Sequence, residues 1–214
     1  MSEQPPVFDA RFAGQLETLM RWRRDVRHFD RRPVPEGEME ALLAQAALAP
    51  SVGNAQPWRF VRIRSEARRA ALAAHVDAQS AEAARRYDPE RRALYGTLKL
   101  HGLREAPDVL AVFCDEAPLA GHGLGAATMA ETRRYSCVMA IHGLWLAARA
   151  RGIGLGWVSI IDPPEVARLL DVPADWALIA LLCLGFPAET GTVPELERRG
   201  WQARESLTDR LFER

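Results

Sequence analysis

The run Arg23-Arg24-Asp25-Val26-Arg27 contains the side chains of this 214-residue chain that are best suited to chemistry. Guanidinium groups are planar, permanently charged and matched in shape to phosphate oxygens, so three of them in five residues favour an anionic ligand such as a phosphate. The Asp25 carboxylate would repel that anion. Either it only pairs with a neighbouring arginine at a solvated helix end, or it is an acid or base beside a phosphate-binding cluster.

A second polar group lies in the loop Ser51-Val52-Gly53-Asn54-Ala55-Gln56-Pro57. The amides of Asn54 and Gln56 both donate and accept hydrogen bonds, which suits the polar edge of a flat heteroaromatic ring. Ser51 adds a hydroxyl, and Gly53 frees the backbone. The alternative is an ordinary turn.

The third group is Gly154-Leu155-Gly156-Trp157-Val158-Ser159. Glycines in a strand allow a planar ring to approach closely, and the Ser159 hydroxyl could bond to a ring atom. The alternative for Ser159 is a strand hydroxyl bonded to the backbone. We interpret the three groups as separated parts of one site.

Composition restricts the other possibilities. Lys plus Arg and Asp plus Glu number 28 each, so no overall charge favours nucleic acid, and small molecules or a second copy are the expected partners. Cys114, Cys137 and Cys183 are odd in number and lie in apolar runs, which predicts reduced core thiols and a cytoplasmic location. No signal-like or membrane-spanning apolar segment is present, so we expect a soluble protein with no membrane partner.

Several catalytic classes lack their motifs. The five histidines and three cysteines show no metal-ligand spacing, and we expect no metal site. The sequence has neither a GxSxG elbow nor a phosphate-binding P-loop, and its glycine clusters do not open a helix after a strand, so a Rossmann fold is not expected. His142, inside an apolar helix, is interpreted as a core histidine rather than a catalyst.

The elements that must position these groups follow from hydrophobic periodicity and breaker residues. Helices are predicted over about 8–24, 36–48 and 133–151, the last closed by Gly152, and from 163 after an Asp162 cap. Strands are predicted over 58–63, 108–114, 154–161 and 176–186. The arginine-rich segment of about 64–106, broken at Asp88-Pro89, reads as a peripheral helical layer, and an apolar arm of about 194–214 should pack on the body or on a partner. The prediction is a single α+β domain with a mixed sheet between helices.

In this order, the motifs resemble the flavin-binding nitroreductase superfamily from Arg23 to Trp201. In that family an Arg-Arg-Ser-x-Arg motif holds the FMN phosphate and a Pro-Ser-x-x-Asn-x-Gln-Pro-Trp loop lines the flavin ring. Here Asp25 replaces the serine. That replacement, with the segments 145–150 and 154–159, is similar to the branch that consumes its flavin instead of recycling it.

The resemblance implies a nitroreductase-like fold with a mostly antiparallel sheet, and a homodimer with FMN at the subunit interface. It implies an oxidoreductase whose substrates are reduced FMN and dioxygen and which releases the lower ligand of cobalamin. NAD(P)H would act only through a separate flavin reductase. The alternatives are an NAD(P)H-dependent nitroreductase or dehydrogenase that recycles its flavin, and a non-catalytic flavin-binding protein.

The resemblance also assigns residues. Asp25 and Ser159 would be catalytic, and Lys99 and Leu100 would close over the flavin from a lid-like helical layer. The remaining implied FMN contacts are Arg23, Arg24, Val26, Arg27, Ser51, Gly53, Asn54, Gln56, Pro57, Gly156 and Arg204. One departure is Ala126, where relatives carry an arginine.

Overall fold

The computed structural model describes residues 4–214, apart from the side chain of Asp209. Within this part the helices are α1 (Ala10–Trp22), α2 (Glu36–Ala46), α3 (Glu66–Ala84), α4 (Pro89–Gly96), α5 (Thr132–Ala150), α6 (Pro163–Leu170) and α7 (Glu195–Arg198). The strands are β1 (Trp58–Arg62), β2 (Asp108–Asp115), β3 (Gly154–Val158) and β4 (Trp176–Gly185), and short 3-10 turns occupy Val52–Asn54 and Thr208–Arg210.

The four strands form one sheet in the order β1-β2-β4-β3, and each neighbouring pair is antiparallel. The mixed character comes from an isolated parallel bridge between Asp25 and Leu155 at the β3 edge. This confirms an α+β fold with a mixed, mostly antiparallel sheet, and it attaches the arginine-rich segment directly to β3.

Both faces of the sheet are covered, because β2 and β4 alternate buried side chains between them. On one face, Leu110 and Leu182 pack with Leu42 of α2 and Leu144 of α5. On the other face, the core includes residues of β2, β4, α3 and α6: Phe113, Leu181, Leu72, Val76 and Val166. The prediction that residues 64–106 are wholly peripheral is therefore wrong for α3, which contributes to the core.

The longest apolar helix is less enclosed than its sequence predicts. Cys137, Ile141 and Leu144 are fully buried, but Tyr135, Val138 and Met139 are 42–50% exposed. His142 is exposed on the same side, so its interpretation as a core histidine is wrong. Packing against the sheet covers only one side of α5.

Two helix ends can be compared with the capping residues that the sequence predicts. Gly152 adopts φ 71° directly after α5, as a glycine at a helix end should. Pro163 opens α6 as predicted, but the Asp162 side chain makes no capping hydrogen bond there. The Asp162 N–H instead donates to His75 Nε2 at 2.9 Å.

The C-terminal arm packs on the helical layer in its first half. Trp201 lies 5.3 Å from Tyr87 and 6.0 Å from Tyr95 between ring centroids, whereas Leu207, Leu211 and Phe212 are 69–74% exposed. The three cysteines are free and buried, as predicted. Across residues 4–214, none of the helices has the length and apolar character needed to cross a bilayer.

Candidate functional site

The segment 23–27 leaves the end of α1 and runs as an extended strand along β3. The Val26 N–H donates to Leu155 O at 3.0 Å, and Trp145 Nε1 of α5 donates to Arg24 O at 3.2 Å. A Cβ at Gly156 would lie 2.0 Å from Val26 O, and one at Gly154 would lie 2.8 Å from Val26 Cγ2. Gly156 therefore leaves room for the Val26 backbone, and Gly154 leaves room for the Val26 side chain.

Asp25 is the best-anchored acid of the site. Its Oδ1 accepts from the Trp157 N–H at 2.8 Å, and its Oδ2 accepts from Arg27 Nε at 2.9 Å. Burial raises the pKa of this carboxyl, although Arg27, the Trp157 N–H and Arg23 each act to lower it. The effect of burial on the Asp25 pKa thus exceeds the opposing effect of the arginines.

Arg27 joins this carboxylate to the helical layer. Its side chain is only 11% exposed, against 30% for Asp25, and its Nη1 donates to Lys99 O at 3.0 Å. Lys99 therefore lies beside the arginine motif. Leu100 follows it and is half-buried.

The other two arginines of the motif differ in what they bond. Arg24 donates to three backbone carbonyls, those of Thr192 at 2.7 Å, Arg23 at 2.8 Å and Arg21. The Arg23 guanidinium lies 4.6 Å from the centroid of the Trp145 ring, and no hydrogen bond or ion pair to it is found within the described chain. Arg23 thus has its donors available, whereas Arg24 ties its segment to the C-terminal region.

Positive charge in this cluster is only partly neutralised. Burial lowers the pKa of Arg23, and the neighbouring Arg204 adds to that effect. The pKa of Arg24 is lowered by burial and by both Arg23 and Arg204. The exposed arm therefore brings Arg204 to the arginine motif from 180 positions further along the chain.

The loop 51–57 is a compact turn. Ser51 Oγ accepts from the Gln56 N–H at 3.0 Å, and Gln56 Nε2 donates to Asn54 O at 3.3 Å. Asn54 and Gln56 both have positive φ, 55° and 48°, and both are exposed. Gly53 is required, because a Cβ there would lie 2.9 Å from the carbonyl oxygens of Gly121 and Leu124. Pro57 is buried beside it.

This loop and segment 23–27 belong to opposite edges of the sheet. The loop leads into β1, whereas Asp25 bridges to β3, and Trp58 pairs with Cys114 at the far end of β2 from Asp108. Strand spacings place the two groups roughly 20 Å apart along the strands and a similar distance across them. No hydrogen bond or ion pair joins them within residues 4–214, so one chain does not bring these two parts of the predicted site together.

Ser159 lies one residue beyond the end of β3 and is exposed. Ser159 is thus two residues along the chain from Trp157, whose N–H binds Asp25. Ala126 is 5% exposed, so its small side chain lies in the body next to the glycine-rich turn. No group of three or more His, Cys, Asp or Glu side chains among the described residues could hold a metal ion.

Sequence reasoning missed three residues next to the site, His28, Glu105 and Glu195. His28 directly follows the arginine motif, and Glu105 and Glu195 lie in segments read only as a helical layer and an arm. Their proximity depends on long-range contacts, so no local pattern marks them.

The antiparallel sheet with helices on both faces defines an α+β class, and a profile of the "Nitroreductase family" matches residues 20–186. The chain belongs to this family. It is 59% identical to 5,6-dimethylbenzimidazole synthase of Rhodospirillum rubrum over 199 residues, which cover 93% of this chain and 94% of that protein.

Two more distant similarities are informative. The chain is 34% identical to an NADH dehydrogenase of Thermus thermophilus over 87% of its length and 90% of that protein. Among solved structures, it superposes with a TM-score of 0.65 on a candidate nitroreductase of Desulfovibrio desulfuricans in complex with FMN. The two chains are 25% identical, with 93% of this chain and 96% of that one covered.

Proposed function

We propose that this protein is an oxidoreductase that fragments reduced FMN with dioxygen and releases 5,6-dimethylbenzimidazole. The observation that carries the proposal is Asp25, a part-buried carboxyl of raised pKa held within an arginine motif by Arg27 and the Trp157 N–H. The likeness to the Rhodospirillum rubrum enzyme over nearly the whole chain supports the same reaction.

The residues present fit FMN. A phosphate needs positive charge with free donors, and Arg23 offers its guanidinium while Arg204 adds a second, unneutralised charge nearby. Arg24 adds charge and holds the segment in place through its carbonyl contacts. The structural relative solved with FMN supports the same ligand.

Bound reduced FMN would supply the electrons that react with dioxygen. The protein would supply proton transfer from Asp25, a carboxyl whose pKa is raised by burial. Ser159 would donate a hydrogen bond at the ring edge, and Lys99 and Leu100 would cover the ring and exclude water.

We also propose that the working unit is a homodimer. Loop 51–57 and segment 23–27 lie at opposite edges of the sheet, so a second copy is needed to bring Asn54 and Gln56 to the flavin held by Arg23. The exposed apolar side chains of α1, α5 and the arm would then be buried between subunits: Phe12, Leu16, Met20, Tyr135, Val138, Met139, Leu211 and Phe212.

Product analysis tests the reaction. The protein is incubated with FMN, dioxygen and a separate flavin reductase supplied with NADPH, and 5,6-dimethylbenzimidazole is measured by mass spectrometry. Asp25→Asn should still bind FMN, because the arginines remain, but should lose nearly all product formation. Complete recovery of intact flavin from the wild-type protein after many cycles would contradict the proposal.

A second candidate function is favoured by the NADH dehydrogenase relative from Thermus thermophilus. An enzyme of that kind would oxidise NAD(P)H directly and recycle its FMN. NAD(P)H oxidation by the purified protein without added reductase, with no loss of flavin, would support it. A non-catalytic flavin-binding protein would show neither activity.

Subunit mixing tests the shared site. Asp25→Asn alters the arginine segment and Asn54→Asp alters loop 51–57, so the two variants change different parts of the site. Aspartate tolerates the positive φ of position 54. Random exchange of the two inactive variants should restore about a quarter of wild-type activity, since half of the dimers then carry one intact site. No recovery in exchanged dimers would show that both residues act within one chain.

A further inference from the structure

Lys99 is the only lysine among the 28 lysine and arginine residues of the chain. An ammonium is a compact charge whose three donors can be divided between partners, whereas a guanidinium is a planar fork. Two partners hold it here. Its Nζ forms an ion pair with Glu105 and lies 3.3 Å from His28 Nδ1.

The two nitrogens of the His28 ring differ in their surroundings. An ammonium only donates, so Nδ1 is the acceptor in the contact with Lys99. Nε2 is buried and lacks a hydrogen-bond partner among the described residues. Glu195 Oε1 lies 4.0 Å from Nε2, beyond hydrogen-bond distance, and the Glu195 side chain is only 10% exposed.

The backbone of Lys99 reaches the proposed reaction centre. Its carbonyl accepts from Arg27 Nη1 at 3.0 Å, and Arg27 Nε donates to Asp25 Oδ2 at 2.9 Å. We infer that His28 and Lys99 form a positioning relay that fixes the Arg27 guanidinium and thereby orients the Asp25 carboxylate. The catalytic part of this inference rests on the proposed function of Asp25.

The relay restrains the position of the Arg27 side chain. Arg27 has two partners, Asp25 and Lys99 O, and the place of that carbonyl depends on how the Lys99 side chain is anchored. When the anchor is lost, the long Arg27 side chain gains alternative rotamers and its contact with Asp25 weakens. The relay therefore acts through Arg27 and does not itself touch the substrate.

Loss of the relay should move the ionisation of Asp25 in a defined direction. The groups that face its carboxyl are Arg23 and Arg27 from its own segment, the Trp157 N–H on β3 and the Cys183 thiol on β4. Arg27 favours the ionised form against burial, so a loosened Arg27 should raise the Asp25 pKa further.

Two substitutions of His28 separate its ring nitrogens. His28→Asn places an acceptor where Nδ1 lies and keeps the contact to Lys99, whereas His28→Gln reaches only the position of Nε2. Both proteins are studied without flavin, with isotope-labelled lysine that reports Lys99 alone and with labelled aspartate whose Asp25 signal is assigned from Asp25→Asn.

We expect His28→Asn to keep the Lys99 resonance and the Asp25 pKa. We expect His28→Gln to move the Lys99 resonance and to raise the Asp25 pKa. With FMN, dioxygen and reductase, the pH optimum of product formation by His28→Gln should rise similarly. Its rate at neutral pH should fall more than its FMN affinity.

The matched control is His101→Gln, because His101 makes a comparable contact to Asp77, 2.9 Å from Nε2 to Oδ1, in the same connecting segment. It should leave the Asp25 pKa unchanged. An unchanged Asp25 pKa in His28→Gln, or equal shifts in both His28 variants and His101→Gln, would overturn the relay. If His28→Gln alone raises the pKa while the wild-type protein yields no dimethylbenzimidazole, the relay stands and the proposed reaction fails.

Discussion

Gly156→Ala tests whether the approach of segment 23–27 to β3 supports both stability and the site. The added Cβ would lie 2.0 Å from Val26 O, whereas real Cβ atoms essentially never come within 3.0 Å of another heavy atom. The obstacle is a backbone oxygen, which no side-chain rotation can remove. Segment 23–27 must therefore move away from β3 by at least about 1 Å.

The free-energy cost follows from the contacts that this movement breaks. The Val26 N–H to Leu155 O bond of 3.0 Å and the Trp157 N–H to Asp25 Oδ1 bond of 2.8 Å both cross the affected gap. A neutral hydrogen bond contributes about 1 kcal/mol and one to a charged group about 1.5–3 kcal/mol. We expect Gly156→Ala to lower the free energy of unfolding by about 2–4 kcal/mol.

Urea unfolding at one fixed protein concentration measures this loss, and fluorescence titration measures FMN affinity. Gly14→Ala is the matched control, because a Cβ at Gly14 in α1 meets no atom within 4 Å. It should raise stability by about 0.5–1 kcal/mol. The reasoning is refuted if Gly156→Ala unfolds at the wild-type urea concentration and binds FMN with unchanged affinity.

Three further outcomes are expected. Because burial raises the pKa of Asp25, the folded state binds a proton more tightly than the unfolded state. The wild-type protein should therefore lose stability relative to Asp25→Asn as pH rises above about 4. A difference in thermal unfolding between the two proteins that does not change with pH would contradict this. Arg23→Gln should weaken FMN binding by about 10–100-fold with little loss of stability. Arg24→Gln removes three carbonyl contacts and should lower the free energy of unfolding by about 1–3 kcal/mol. Equal effects of the two substitutions on calorimetric stability and on FMN affinity would count against this distinction. Burial raises the pKa of the Cys183 thiol to about 12, and the side chains of Cys114 and Cys137 are also fully buried. A thiol reagent should therefore label none of the three cysteines in the native protein and all three in urea.

Local patterns predicted most elements of the fold. The apolar run 108–114 is strand β2, Asp88-Pro89 separates α3 from α4, and Gly152 follows α5. A continuous apolar run, a proline first turn and a left-handed glycine are signals carried by neighbouring residues in the sequence. The arginine motif also lies where its sequence suggests, at the end of α1.

Local patterns failed where a helix has apolar residues on several sides. The sequence of α5 does not show which side meets the sheet, and only packing places Ile141 inside and His142 outside. The same holds for α3, whose alanine-rich surface gave little sign that Leu72 and Val76 belong to the core.

The sequence by itself determined the chemical inventory of the site: three guanidiniums around one carboxylate, a polar loop, and a glycine-bearing strand followed by a serine. Tertiary structure decided which of these meet. Asp25 contacts Trp157 across 132 positions, because a parallel bridge joins its segment to β3, and burial there raises its pKa. The loop 51–57 is held at the other edge of the sheet, because β1 pairs with β2. Strand pairing is a long-range choice made by the whole core, and it decided which parts of the site one chain holds together.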